Sequence, residues 1–188
     1  SAPHPTEVDV APDTGSTLAP MPLAGLRVLD FSRVLAGPFA GRMLADLGAD
    51  VVKVEPPDGD VTRLWGEVRH GLSGFYTQQN AGKRNLCLDL KTRAGRQLAR
   101  RLCERADVVI ENYRPGVFAR LGLTYTSLSA ANPGLVLLAI SGFGATGPDR
   151  ERAAYAAVIQ AESGLVSRQA ACDAAAPTDP VISLADMN

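Results

Sequence analysis

Histidine, cysteine and tryptophan are scarce in this sequence: two, three and one among 188 residues. The cysteines (Cys87, Cys103, Cys172) are odd in number and lack CxxC spacing. That excludes a disulfide framework and a cysteine-based zinc site, predicts no metal centre, and points to a reducing cytoplasm. Cys87 and Cys103 fall in apolar-patterned segments and are expected in the core. Charge of one sign is not in excess either. The net charge of −1 gives no global pull toward nucleic acid or an anionic membrane surface. No apolar run reaches the roughly 18 to 20 residues of a membrane-spanning helix. A dinucleotide fingerprint is missing as well. The loop after the first predicted strand has Gly37 and Gly41 rather than G-x-G-x-x-G, so a nicotinamide or flavin enzyme loses its main support.

What remains is 46% hydrophobic and 21% charged, enough for one globular domain with a core. The first 22 residues are rich in Pro, Ser, Thr and Ala and lack a basic start followed by an apolar stretch. They read as a flexible tail rather than a signal peptide. The domain is expected over 23–188. Strands are predicted at 26–31, 50–55, 85–90, 107–112 and 135–141, the last so apolar that it reads as a central strand covered on both faces. Helices are predicted at 37–48, 92–106, 115–122, 126–133 and 153–167, the second with Leu98, Leu102 and Cys103 on its apolar face. The segment 56–84 reads as softer, with a turn signal at Pro56-Pro57-Asp58-Gly59. Alternating strands and helices predict an α/β fold, an open Rossmann-like parallel sheet flanked by helices.

In such a sheet a ligand sits beyond the carboxyl ends of the strands. Those ends carry Glu55, then Asp89 and Lys91, then Asn112, Tyr113 and Arg114, with Arg120 in the next helix. Lys91, Arg114 and Arg120 at successive ends suit a phosphate-bearing ligand. Taken singly, each reads better as a solvated surface charge; the three together favour an anion site. The closing stretch "SLADMN" sets a lone carboxylate, Asp186, after an apolar run. Local sequence leaves it open between a helix N-cap and a nucleophile.

Several stretches in order decide between these readings. "LAGLRVLDFSRVLAGPFAGRMLADLGADVVKVEPP", "NAGKRNLCLDLKT", "ADVVIENYRPGVFARLGL", "NPGLVLLAISGFGATGP" and "AYAAVIQAESGL" together resemble the class III CoA-transferases, which include formyl-CoA transferase, carnitine CoA-transferase and alpha-methylacyl-CoA racemase. The resemblance runs over residues 23–188. It implies a CoA-binding stretch around Leu35 and Ala36, at Leu88, Asp89, Leu90 and Lys91, and at Asn112, Tyr113 and Arg114. It makes Arg120 a CoA-phosphate ligand and gives the basic pair Lys83 and Arg84 a place in CoA binding. Tyr155 matches an active-site tyrosine, and Asp186 matches the catalytic aspartate.

The implied reaction moves CoA from an acyl-CoA to a free carboxylic acid. It proceeds through covalent intermediates on Asp186 and needs no permanently bound cofactor, since acyl-CoA is the substrate. Family members are about twice as long and form interlocked homodimers. The resemblance therefore implies a fragment, inactive alone, or one chain of a pair in which a second polypeptide supplies the rest. Two other readings remain open: an acyl-CoA racemase, and a non-catalytic CoA-binding module. Against the racemase, the stretch "RAAYAAV" before and around Tyr155 holds no histidine, so half of an acid–base pair is missing. Leu35, Pro56 and Ala153 also stand where formyl-CoA transferase has a glutamine, an arginine and a lysine.

Overall fold

The computed structural model describes residues 21–178. Residues 1–20, most of the expected tail, and 179–188, with Asp186, lie outside the described residues. β1 (Arg27–Asp30) leads into α1 (Ala36–Asp46) and β2 (Asp50–Glu55). An insertion follows: a 3-10 turn (Val61–Leu64), the hairpin of β3 (Val68–Arg69) and β4 (Leu72–Ser73), and α2 (Gly74–Asn80). β5 (Arg84–Cys87), α3 (Arg93–Cys103) and β6 (Val108–Glu111) resume the alternation. The short helices α4 (Val117–Arg120) and α5 (Tyr125–Ser129), then β7 (Val136–Ala139), α6 (Ala156–Glu162) and α7 (Leu165–Asp173), complete it. The main sheet runs β5-β2-β1-β6-β7, and every neighbouring pair is parallel.

The apolar strands are apolar because both faces are covered. Val28, Val51 and Ile110 form one cluster with Ala49 and, from α1, Leu44 and Ala45. Leu29, Val54 and Val109 form the other with Ala99 and Cys103 of α3 and with Phe118, Leu123 and Leu128. Phe118 meets Phe31 edge-on, with ring centroids 5.4 Å apart. Successive residues of a strand therefore serve opposite faces, as the pleat demands.

Four expectations need correction. α3 approaches the sheet through Gly95, Ala99 and Cys103, and Leu98 is 43% exposed. Small residues let the helix lie close, and Leu98, one step before Ala99, turns to solvent. Cys87 is exposed at the end of β5, while Cys103 is buried as expected. Among the described residues β7 is an edge strand rather than a central one, with Val136 58% exposed. Apolarity says that a strand is to be covered and is silent on its place in the order. The helix expected over 153–167 starts at Ala156 and breaks at Gly164, whose φ of 78° is left-handed. The softer segment 56–84 also holds a 3-10 turn, a hairpin and α2, all too short for periodicity to reveal.

α1 crosses β1 at Gly41. A Cβ there would lie 2.6 Å from Asp30 Oδ2 and 3.1 Å from Lys83 Nζ. Asp30 cannot swing away, because both its oxygens are bonded within the interior. In an open helix Gly→Ala adds stability. Here Gly41→Ala is expected to cost about 2 kcal/mol or more, by overpacking a buried ion pair. Urea unfolding measures it; a stabilised variant would refute the close approach.

Candidate functional site

At the carboxyl ends of β1, β6 and β7 lies a cavity of about 260 Å³. Its walls are the segments 33–36, 112–115, 140–142 and 152–155, with Arg150 and Ile159. This is the crevice position of an open parallel sheet.

The loop after β1 is held by charge. Asp30 Oδ1 accepts from the Ser32 amide at 2.9 Å and from the Ser32 hydroxyl. Asp30 Oδ2 pairs with Lys83 Nζ at 2.8 Å, and that ammonium also donates to Pro38 O and Asn80 Oδ1. Lys53 Nζ donates to Ser32 O at 2.8 Å and pairs with Asp60 Oδ2 at 3.2 Å. Asp60 then accepts from the Val34 amide at 3.1 Å. Val34 sits at φ 70°, a left-handed conformation that costs a β-branched residue about 1–2 kcal/mol. Asn112 grips the preceding residue from the other side. It accepts from Arg33 N and donates to Arg33 O, both at 2.7 Å.

A second cluster supports Asp60 from below. Glu55 Oε2 accepts from the Asp60 amide at 2.9 Å and from Arg63 Nε at 2.7 Å. Tyr76 and Asn85 donate to Glu55 Oε1, and Arg63 lies 3.9 Å over the Tyr76 ring. Burial alone would push the Glu55 carboxyl up. The bonds from Arg63, Tyr76, Asp60 and Asn85 outweigh it and hold the group at about 2. Asp60 follows the same pattern, with burial opposed by Lys53 and Thr62 and a net shift downward. For Lys83 burial wins, and its pKa is lowered although Asp30 pulls it back.

The cavity gathers Leu35, Ala36, Asn112, Tyr113, Arg114 and Tyr155. Tyr155, 73% exposed, stands at the start of α6. Other candidates lie elsewhere. Lys83 is spent on the buried pair with Asp30. Arg84 begins β5 and bonds Asp50, which begins β2, so it sits on the amino edge of the sheet. Leu88 and Leu90 pack into or against the core, and the Asp89 carboxylate accepts from the Lys91 amide. These four follow β5, with β2 between that strand and β1. Arg120 ends α4, exposed, beside Gly116 and outside the cavity walls.

Sequence reasoning missed Arg33, Arg150 and Arg152. Arg33 was legible as the residue between a strand end and the Leu35 loop. Arg152 was not: it gains its place by bonding Glu162 at 2.5 Å and lying 4.5 Å over Phe143. Among the described residues no cluster of three or more His, Cys, Asp or Glu is placed to hold a metal ion. No described helix is long and apolar enough to cross a membrane.

The Glu55 cluster makes acid stability testable. The carboxyl titrates at about 2 folded against an ordinary 4.5, so its contribution is complete above about pH 5 and lost as pH falls through about 2. That gap corresponds to about 3 kcal/mol. Glu55→Gln is expected to be less stable at neutral pH by up to that amount and to lose less between pH 5 and pH 2. Parallel stability-against-pH curves for the two proteins would contradict the cluster.

Comparison with known proteins places the chain in a family. The family model for CoA-transferase family III matches residues 23–188. A succinate–glutarate CoA-transferase of Agrobacterium fabrum is 49% identical over 154 residues, covering 78% of this chain and 38% of that protein. The succinyl-CoA:glutarate CoA-transferase of Homo sapiens is 43% identical over 147 residues, covering 77% of this chain and 34% of that protein. A CAIB/BAIF family protein from Brucella suis superimposes with a TM-score of 0.81 at 43% identity, covering 89% of this chain and 45% of that one. The chain thus spans less than half the length of these relatives. The chain belongs to CoA-transferase family III.

Proposed function

We propose that this chain carries the CoA-binding half of an enzyme that moves CoA from an acyl-CoA to a free carboxylic acid. The observation that carries the reading is the cavity at the β1, β6 and β7 ends, where Leu35, Ala36, Asn112, Tyr113, Arg114 and Tyr155 converge. Its rim cation, Arg114, is exposed and suits a CoA phosphate. Its apolar floor at Leu35 and Ala36 suits the pantetheine arm and thiol end. Leu88, Asp89, Leu90, Lys91 and Arg120 would extend the same ligand's contacts along the carboxyl edge. Lys83 acts at one remove, by fixing Asp30. The enzyme works in the cytoplasm on acyl-CoA and an acid acceptor. It is completed by the rest of an interlocked homodimer or by a second chain, and these residues alone do not turn over.

Asp186 is the nucleophile. Its carboxylate attacks the thioester carbonyl and expels CoA thiolate, leaving an acyl-aspartyl anhydride. The thiolate attacks the aspartyl carbonyl, releasing the first acid and leaving an aspartyl-CoA thioester. The acceptor carboxylate then attacks that thioester, giving a second anhydride and CoA thiolate. The thiolate takes the acyl group and regenerates Asp186. Backbone amides near the cleft are suited to the oxyanions. Two relatives are named for succinate and glutarate, which supports a dicarboxylic acid on at least one side of the exchange here.

Asp186→Ala in the native enzyme is expected to lower transfer by on the order of a thousandfold or more. Hydroxylamine added seconds after acyl-CoA is expected to leave a hydroxamate on the wild-type Asp186 peptide. Full activity in the variant, or an unmodified Asp186 in an enzyme that transfers CoA, would refute this chemistry. Deuterium uptake at the alpha carbon of a 2-methylacyl-CoA without transfer would replace it with racemisation.

A further inference from the structure

We infer that Arg33 anchors the second carboxylate of a dicarboxylic substrate, and so determines which acids exchange CoA here; this rests on the transfer reading above. Arg33 lines the cavity. Among the described residues its guanidinium has no acceptor, and its Nε is sealed from solvent without a hydrogen-bond partner. The other cations nearby are occupied. Arg152 is bonded to Glu162 and paired with Asp149 at 3.5 Å. Arg150 lies 3.3 Å from Glu151, and Lys53 is buried against Asp60. Arg114 is exposed on the rim, where a solvated phosphate is its natural ligand. Arg33 is the half-buried one, bordered by Val34, Leu35, Ala36 and Tyr113.

An unpaired guanidinium in such a cleft calls for an anion, because an unsatisfied donor away from water is costly. Its planar fork matches a carboxylate. The backbone at Arg33 is fixed on both sides. Asn112 holds its N–H and C=O, and Asp60 holds the next amide in a left-handed turn. Such strain persists only where the surroundings over-determine it, and it clusters at ligand clamps. The consequence is a cation carried into the cavity wall on a fixed backbone. A monocarboxylic acyl group leaves it unpaired. A dicarboxylic one, joined to CoA through one carboxyl, brings a second carboxylate to it. In a transferase both acids occupy the same site in turn, so one anchor serves both half-reactions.

The same fork also fits a CoA phosphate, and the test separates the two sources. Rates are compared for glutarate and pentanoate, five-carbon acids that differ in the second carboxylate, with wild type, Arg33→Met and Arg33→Lys native enzyme. Arg33→Met is expected to lower the glutarate-to-pentanoate ratio of kcat/KM by about ten- to a hundredfold. Arg33→Lys should restore part of it, since it keeps the charge and loses the fork. A ratio that does not move overturns the anchor, whatever the variants do to overall rate. So does a defect that vanishes when a pantetheine thioester, which lacks the phosphates, replaces acyl-CoA. Calorimetry separates this proposal from the reading beneath it. Arg33-dependent binding of glutarate over pentanoate, in an enzyme that transfers CoA to neither, supports the anchor and sinks the transferase.

Discussion

Four buried charges set the shape of the carboxyl edge. Asp30 and Lys53 face each other across β1 and β2 in the strand register. Neither takes the other as its ion-pair partner: Asp30 pairs with Lys83, and Lys53 with Asp60. The side chains of all four are at most 1% exposed. Two carboxylates and two ammonium groups therefore lie together under the N-terminal half of α1, with no net charge. The register follows from this. A slip of one residue would turn Asp30 and Lys53 onto the face occupied by Leu29 and Val54, among Ala99, Cys103 and Phe118.

Such pairs are weak evidence for stability, because desolvation offsets the attraction. Their effect is on shape. Each carboxylate spends its remaining lone pairs on the loop: Asp30 on Ser32, Asp60 on Val34 and Thr62. Removing one partner strands the other in the interior, a cost of about 3–5 kcal/mol. Apolar packing could not do the same job, since it has no direction. Holding Val34 left-handed requires an acceptor at a set distance from its amide N–H, and the Asp60 carboxylate supplies it.

The fold was legible because the strands β1, β2 and β6 are covered on both faces and so read as short, mostly apolar runs, interrupted in β2 by Lys53 and closed in β1 by Asp30. The cavity lining was legible only where it directly follows the ends of β1 and β6. Leu35, Ala36 and Asn112 to Arg114 come from two strand ends that any parallel sheet brings together. Lys83 and Arg84 show what a sequence hides. Lys83 lies just before β5, and nothing local says that it has a buried counter-ion 53 residues away. Arg84 begins its strand, and a strand's first residue cannot reach a crevice at its other end. β7 failed differently: its composition matched a covered strand, while position in the order is set by the crossover that precedes it.

Asn112 explains why the cleft opens where it does. β1 and β6 run side by side through Asp30 and Ile110, and Phe31 N still donates to Ile110 O at 2.8 Å. Beyond that point the Asn112 side chain replaces the backbone as the partner of Arg33. Its amide gives one acceptor and one donor, the two functions that a strand residue would have offered. The ladder is thus extended by one rung at side-chain length. The two backbones separate while Arg33 keeps partners for both its N–H and its C=O, and the space between them opens into the cavity. An aspartate there would lack the donor, and a leucine would lack both. The residue that closes the hydrogen-bond account of the strand pair is therefore the one that lets the pair part.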